Sequence, residues 1–157
     1  PHLWYPHGYG EQPLYKLVVK CADETKEFYI GFRDIQIVQE PVAGDSGSSF
    51  LFKVNGIEMF VGGANWIPDD IMLNRISDAR YRERILQALN ANMTMLRVWG
   101  GGIYEPDVFY DLCDELGILV WQDFMFACGI YPAYSEFLEN IKQEAEANVK
   151  RLRHHTC

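Results

Sequence analysis

The spacing of apolar positions changes after Gly62. Before it, apolar residues come in short bursts bounded by charged or turn-forming residues: residues 14–19, 28–32 and 35–38. Short, partly alternating runs separated by turns predict β-strands, here too few to close a sandwich alone, so they read as the last part of one. Residues 50–54 and 57–61 are apolar runs separated only by Asn55-Gly56. That dipeptide is a strong hairpin signal, because a type I′ turn requires positive φ at both central residues. Residues 41–49 hold one Pro, two Gly and three Ser and read as a linker, so a domain boundary is placed between residues 45 and 46.

After Gly62 the period becomes helical. Tyr81, Ile85, Leu86 and Leu89 share one helical face, and residues 93–99 then read as a buried strand. Pro106 stands where the first position of a helix is expected. Phe109, Leu112, Cys113 and Leu116 follow i, i+3, i+4, i+7 spacing, with Gly117 just past the end. Residues 118–121 form a further apolar run, and Leu138, Ile141, Ala145, Val149 and Leu152 mark a stripe on a long helix. Residues 61–153 thus predict β-α-β-α-β-α, a parallel sheet covered by helices. An open Rossmann-type sheet and a (β/α)8 barrel both fit, although the glycine fingerprint of a dinucleotide fold is missing. A barrel takes ~250 residues, so three βα units are less than half of one.

Sites in parallel sheets form at the C-terminal strand ends. These ends carry Asn65, then Arg97 and Trp99 ahead of Gly100-Gly101-Gly102, then Trp121 and Asp123. Indole faces stack on sugar C–H faces, and Asp, Asn and Arg hydrogen-bond hydroxyls, so this set fits a polyol pocket. The competing reading is rim packing by Trp99 and Trp121 around an Arg97–Asp123 ion pair. The triple glycine matches no phosphate-binding motif; it predicts a tight bend beside a pocket, where glycine alone tolerates the φ required. Asp69-Asp70 falls in a loop, and Asp111, Asp114 and Glu115 read as a solvated helix face. Asp123 is the only acid at a strand end, so the chain offers no acid/base and nucleophile pair. His154-His155, at a helix end without an acidic partner, are expected to face solvent and hold no metal. Asn92-Met93-Thr94 is formally a glycosylation acceptor but leads into a buried strand.

The chain has 157 residues, 48% of them hydrophobic and 14% aromatic, which is the profile of a folded chain with a core. Fourteen Lys and Arg against 22 Asp and Glu give a net charge of −8. That balance argues against nucleic-acid and membrane-surface partners, and no apolar run reaches the ~18 residues of a span. Cys21, Cys113, Cys128 and Cys157 lack metal or disulfide spacing and are expected to be buried free thiols. This leans toward an intracellular setting and leaves secreted or lysosomal placement open. Beginning at Pro1 and stopping after a helix, the chain is expected to be part of a longer protein.

Three long stretches carry a resemblance: Gly63-Ala64-Asn65-Trp66-Ile67-Pro68; residues 91–105, including Arg97-Val98-Trp99-Gly100-Gly101-Gly102; and residues 109–127, including Val120-Trp121-Gln122-Asp123-Phe124. They are similar to β-mannosidases of glycoside hydrolase family 2, and Trp4-Tyr5-Pro6-His7-Gly8-Tyr9-Gly10 resembles the segment that precedes that family's immunoglobulin-like domain. The resemblance implies a multidomain β plus α/β chain. Residues 1–45 would be the C-terminal part of an immunoglobulin-like β-sandwich. Residues 46–157 would hold the first three βα units of a (β/α)8 TIM barrel. It implies a retaining exo-β-mannosidase that removes terminal non-reducing β-mannose from mannooligosaccharides or glycans, without a cofactor. Both catalytic glutamates would lie beyond Cys157, which leaves the 157-residue chain inactive alone. Arg97 and Trp121 match the subsite for the terminal sugar; Asp123, Trp99 and Asn65 are added by the strand-end rule. The other readings are a non-catalytic carbohydrate-binding module and a family 2 β-galactosidase or β-glucuronidase. Family members usually continue past the paired histidines with Pro, where this chain has Thr156-Cys157, so little weight is placed on its last residues.

Overall fold

The computed structural model describes residues 1–157. The elements are β1 (Tyr15–Cys21), β2 (Glu24–Ile30), β3 (Ile35–Val38), β4 (Leu51–Val54), β5 (Ile57–Met59), β6 (Gly63–Trp66), a 3₁₀ turn (Leu73–Arg75), α1 (Asp78–Asn90), β7 (Met95–Val98), α2 (Asp107–Leu116), β8 (Leu119–Gln122) and α3 (Ser135–Leu152). Strands β1 and β2 form an antiparallel hairpin, β3-β4-β5 an antiparallel sheet, and β6-β7-β8 a parallel sheet. No helix is long and apolar enough to cross a membrane.

The Asn55-Gly56 turn forms as its dipeptide predicts, with φ of 50° and 81°. The linker reading of residues 41–49 is corrected. Strands β3 and β4 pair directly, and Ser49 N–H donates to Glu40 O at 2.8 Å. The stretch is a hairpin loop, and a boundary at 45/46 would fall inside one sheet. The changes of sheet occur between β2 and β3 and between β5 and β6.

The parallel sheet has two unlike faces because side chains alternate along each strand. Trp66, Leu96 and Val98 face α1 and α2 in a core with Tyr81, Ile85, Phe109, Leu112, Cys113 and Ile118. Each such fully buried side chain contributes about 1.5–3 kcal/mol, so α1 and α2 are firmly held. Ser77 caps α1 by accepting from Arg80 N–H. Pro106 is the N-cap of α2, one residue outside the expected position, and α2 ends at Gly117 in the left-handed conformation.

Met95 and Leu119, the first residues of β7 and β8, point to the opposite face and pack with Trp4, Val54 and Met59. The hairpin β4-β5 and the N-terminal segment thereby close the N-terminal end of the sheet. Trp4 is fully buried; its N–H donates to Phe32 O and its indole N–H to Asp114 O, each at 2.8 Å. The same face stays open at the C-terminal end.

Helix α3 buries no residue. Of its expected stripe, Leu152 reaches the core while Leu138 and Val149 are about half exposed. Polar contacts tie it down: Arg151 donates to Asp107 at 2.6 Å and to Glu105 O at 3.0 Å. The chain end, by contrast, is built in. Gly31 N–H donates to the Thr156 hydroxyl at 2.7 Å, and Val120 N–H donates to Cys157 O at 2.9 Å. All four cysteines are free. Cys113 is buried and Cys157 half-buried, but Cys21 and Cys128 are exposed, against the expectation of buried thiols; both lie outside the packed cores. Burial pushes the Cys113 and Cys157 thiols well above their ordinary value, so neither is a ready nucleophile.

Candidate functional site

Asn65, Arg97 and Trp121 are aligned partners across β6, β7 and β8. Being in register, they point to the same side, the open side of the sheet. Asp123, just past the end of β8, organises them. Arg97 grips its carboxylate with two prongs, Nη2 to Oδ2 at 2.6 Å and Nε to Oδ1 at 3.2 Å. Trp121 Nε1–H donates to Oδ1 at 3.0 Å, and Gly100 N–H to Oδ2 at 3.1 Å. Arg97 Nη1 donates to Asn65 Oδ1 at 3.0 Å. The Arg97–Asp123 ion pair of the competing reading forms, and it forms within an ordered polar row.

The row remains accessible. The Arg97 side chain is 41% exposed and that of Asp123 18%; Trp121 is 41% exposed. Arg97 uses three of its five N–H groups, and the Asn65 amide N–H groups have no partner within the chain. Behind Trp121 stand Phe50 and Phe52, with ring centroids at 6.0 and 6.4 Å. One indole face is thus backed by aromatic packing and held by its N–H. Trp99 is half-buried and lies over Gly101, where an added Cβ would come within 2.1 Å of the ring. At Gly100 an added Cβ would meet Phe124 O at 2.5 Å. None of the three glycines has positive φ, which corrects the expectation: they are required for close approach, not for a special backbone conformation.

Chemically, the row can donate several hydrogen bonds to hydroxyls beside an aromatic surface. Its carboxylate already accepts from four donors and is poorly placed to attack a carbon or transfer a proton. Asp69, in the loop after β6, accepts from Arg80 and, at 2.7 Å, from Arg84. Burial works to raise its carboxyl, but these hydrogen bonds outweigh it and hold it below its ordinary value.

Two polar clusters escaped the sequence reading. Glu105 is 1% exposed and accepts from Trp66 Nε1–H at 2.9 Å and Tyr81 O–H at 2.6 Å. Burial, then the Glu105 hydrogen bond, push the Tyr81 hydroxyl well above its ordinary value, so it stays a donor. The second cluster corrects two expectations. Asp114 is not on a solvated face and His155 does not face solvent; both are buried, with Nδ1 2.7 Å from Asp114 Oδ2. Cys157 N–H donates to Asp114 Oδ1 at 2.6 Å. The available signal was Tyr110 with Asp114, an i, i+4 pair beside the apolar stripe that widens the buried arc of α2. Asp111, Asp114 and His155 offer ligand atoms within 4.8 Å of one another. Asp114 Oδ2 and Oδ1 bond His155 and Cys157, so the cluster ties residues 155–157 to α2. Burial, the largest influence, raises the Asp111 carboxyl, partly offset by His155.

No family model matches the chain. It is 52% identical over 160 residues to a β-mannosidase B of Thermothelomyces thermophilus, covering 99% of this chain and 19% of that protein. It is 49% identical to a β-mannosidase B of Aspergillus fumigatus over the same shares. Among solved structures, a β-D-mannosidase from Dictyoglomus thermophilum superposes with a TM-score of 0.91 at 48% identity, over 99% of this chain and 20% of that one. An Amycolatopsis orientalis exo-chitosanase shares the fold, with a TM-score of 0.82 at 23% identity. The chain spans about one fifth of the length of the curated relatives it matches. Over nearly its whole length, and at about half its positions, this chain matches one segment of the β-mannosidases.

Proposed function

We propose that the chain is the sandwich-to-barrel segment of a retaining exo-β-mannosidase of glycoside hydrolase family 2. In this reading β1-β2 belongs to an immunoglobulin-like sandwich, and β6-α1-β7-α2-β8-α3 forms the first three units of a TIM barrel. The shared β3-β4-β5 sheet favours placing the division between β2 and β3, ahead of the hairpin that caps the barrel floor. The Asn65–Arg97–Trp121 row, ordered around Asp123 at the C-terminal strand ends, carries the functional reading. It forms one wall of the subsite for the terminal mannose. Trp121, with Trp99 beside it, offers apolar surface to the sugar; Arg97 and Asn65 bond its hydroxyls. The two carboxylates that retention requires, about 5–5.5 Å apart, come from sequence outside this chain.

The test uses the whole enzyme: the natural polypeptide containing this chain, or the Dictyoglomus enzyme with this chain replacing its corresponding segment. A panel of aryl glycosides should show hydrolysis of the β-mannoside with net retention, and far less of the β-galactoside and β-glucuronide. No mannoside turnover, or a preference for either of the others, overturns the reading. The 157-residue chain alone should turn over nothing. A saturable Trp fluorescence change with mannose would instead favour a self-sufficient binding module.

A further inference from the structure

Glu105 lies off the sugar-facing side, yet it completes a closed circuit of contacts around the rim. Starting at Asp123, the carboxylate holds Gly100 N–H, the first residue of the glycine loop. That loop runs on to Glu105, whose carboxylate accepts from Trp66 Nε1–H and Tyr81 O–H. Trp66 is the last residue of β6 and follows Asn65 directly; its carbonyl also accepts from Trp99 N–H at 3.0 Å. Asn65 accepts from Arg97, and Arg97 returns to Asp123. Every other link of the circuit is backbone or part of the sugar-facing row. The bond from Trp66 Nε1–H to Glu105 is the only buried side-chain hydrogen bond that ties the glycine loop to the end of β6.

Its chemistry is unusual for a link of this kind. At 1% exposure, its carboxylate is met only by the neutral donors Trp66 and Tyr81. Arg151, the nearby cation, donates instead to the Glu105 backbone carbonyl. A buried carboxylate without a cation is costly, and an apolar residue would close the core without that cost. What the carboxyl group supplies is two directed acceptors, one toward β6 and one toward α1.

We infer that Glu105 is a positioning residue for the sugar subsite: it holds the end of β6, and through it Asn65, in register with Arg97. The inference rests on the proposed glycosidase reading. It is tested in the whole enzyme with Glu105→Ala, Glu105→Gln, Asn65→Ala and the double variant Glu105→Ala/Asn65→Ala. Glu105→Gln can still accept from Trp66 and can donate to the Tyr81 oxygen, so it should stay close to wild type. Glu105→Ala should raise KM for an aryl β-mannoside about tenfold, the worth of one hydrogen bond, with kcat within about twofold. In the double variant the KM effects should fail to multiply, because both act through the same bond. Should Glu105→Ala not fold, Trp66→Phe carries the same test, since it removes the donor from β6 and keeps a ring.

A fall in kcat at unchanged KM, or KM effects that multiply, would overturn the inference and mark Glu105 as merely structural. Failure of the parent reading looks different, since wild type would then not hydrolyse the mannoside at all.

Discussion

Asp123→Ala tests the rim most sharply, because one small carboxylate accepts from four donors. The contribution of each follows from its exposure. Arg97 is 41% exposed, so its ion pair is worth no more than about 1 kcal/mol. The bonds from Trp121 and Gly100 to an ionised acceptor sit at the low end of their range, about 1.5 kcal/mol each, because Trp121 is also open to water. Water recovers part of this once the carboxylate is gone, leaving a net loss of about 2 kcal/mol in rim ordering, or about 30-fold in KM. Steady-state kinetics on an aryl β-mannoside with the whole enzyme, alongside a thermal melt, give the readout. Asp123→Ala should raise KM by that factor with little change in Tm, since most of the lost contacts are half exposed. Asp123→Asn should fall between, because its amide keeps one acceptor and turns an N–H toward the remaining donors. A KM within twofold of wild type, or a loss of activity that merely tracks a collapsed Tm, would refute this account of the rim.

Other consequences follow from the clusters around it. Asp114→Ala leaves His155 and Cys157 N–H without their buried acceptor and should destabilise by about 3–5 kcal/mol, with Asp114→Asn costing less, as read by thermal or denaturant unfolding. The Asp69 carboxyl is held below its ordinary 3.8, so its contribution is complete above that pH and is lost as the pH falls through the folded value; Tm should drop on acidification below about 4, and Asp69→Asn should flatten that drop. Asp111, raised from the same starting value, works with the opposite sign: its contribution is present at low pH and fades as the carboxyl ionises, so Asp111→Asn should gain stability near neutrality. Gly101→Ala places a methyl group against the Trp99 ring and should raise KM through displacement of the indole while leaving Tm nearly unchanged.

Local pattern made much of this legible. The Asn55-Gly56 hairpin, the alternation of strands and helices after Gly62, and the strand-end position of Asn65, Arg97, Trp121 and Asp123 all depend on spacing within a few residues. Residues 41–49 are ambiguous in sequence because Pro, Gly and Ser suit a hairpin loop as well as a linker; the pairing of β3 with β4 decides between them, and pairing is not a local property. Glu105 and Asp114 are hidden in the sequence for a related reason. A carboxylate in sequence looks solvated until its partners are known, and theirs lie far away: Trp66 and Tyr81 are 39 and 24 residues from Glu105, and His155 is 41 from Asp114. The triple glycine marks the loop in sequence but not its reason, since the crowding by Trp99 and Phe124 O arises only on folding.

The most direct measurement is a crystal structure of the whole enzyme with a mannose-configured inhibitor bound. The sugar should lie against the open side of the parallel sheet, with Arg97 and Asn65 within hydrogen-bond distance of ring hydroxyls and the Trp121 indole against its C–H face. A sugar bound elsewhere, with Arg97, Asn65 and Trp121 left to solvent or covered by other parts of the polypeptide, would contradict it.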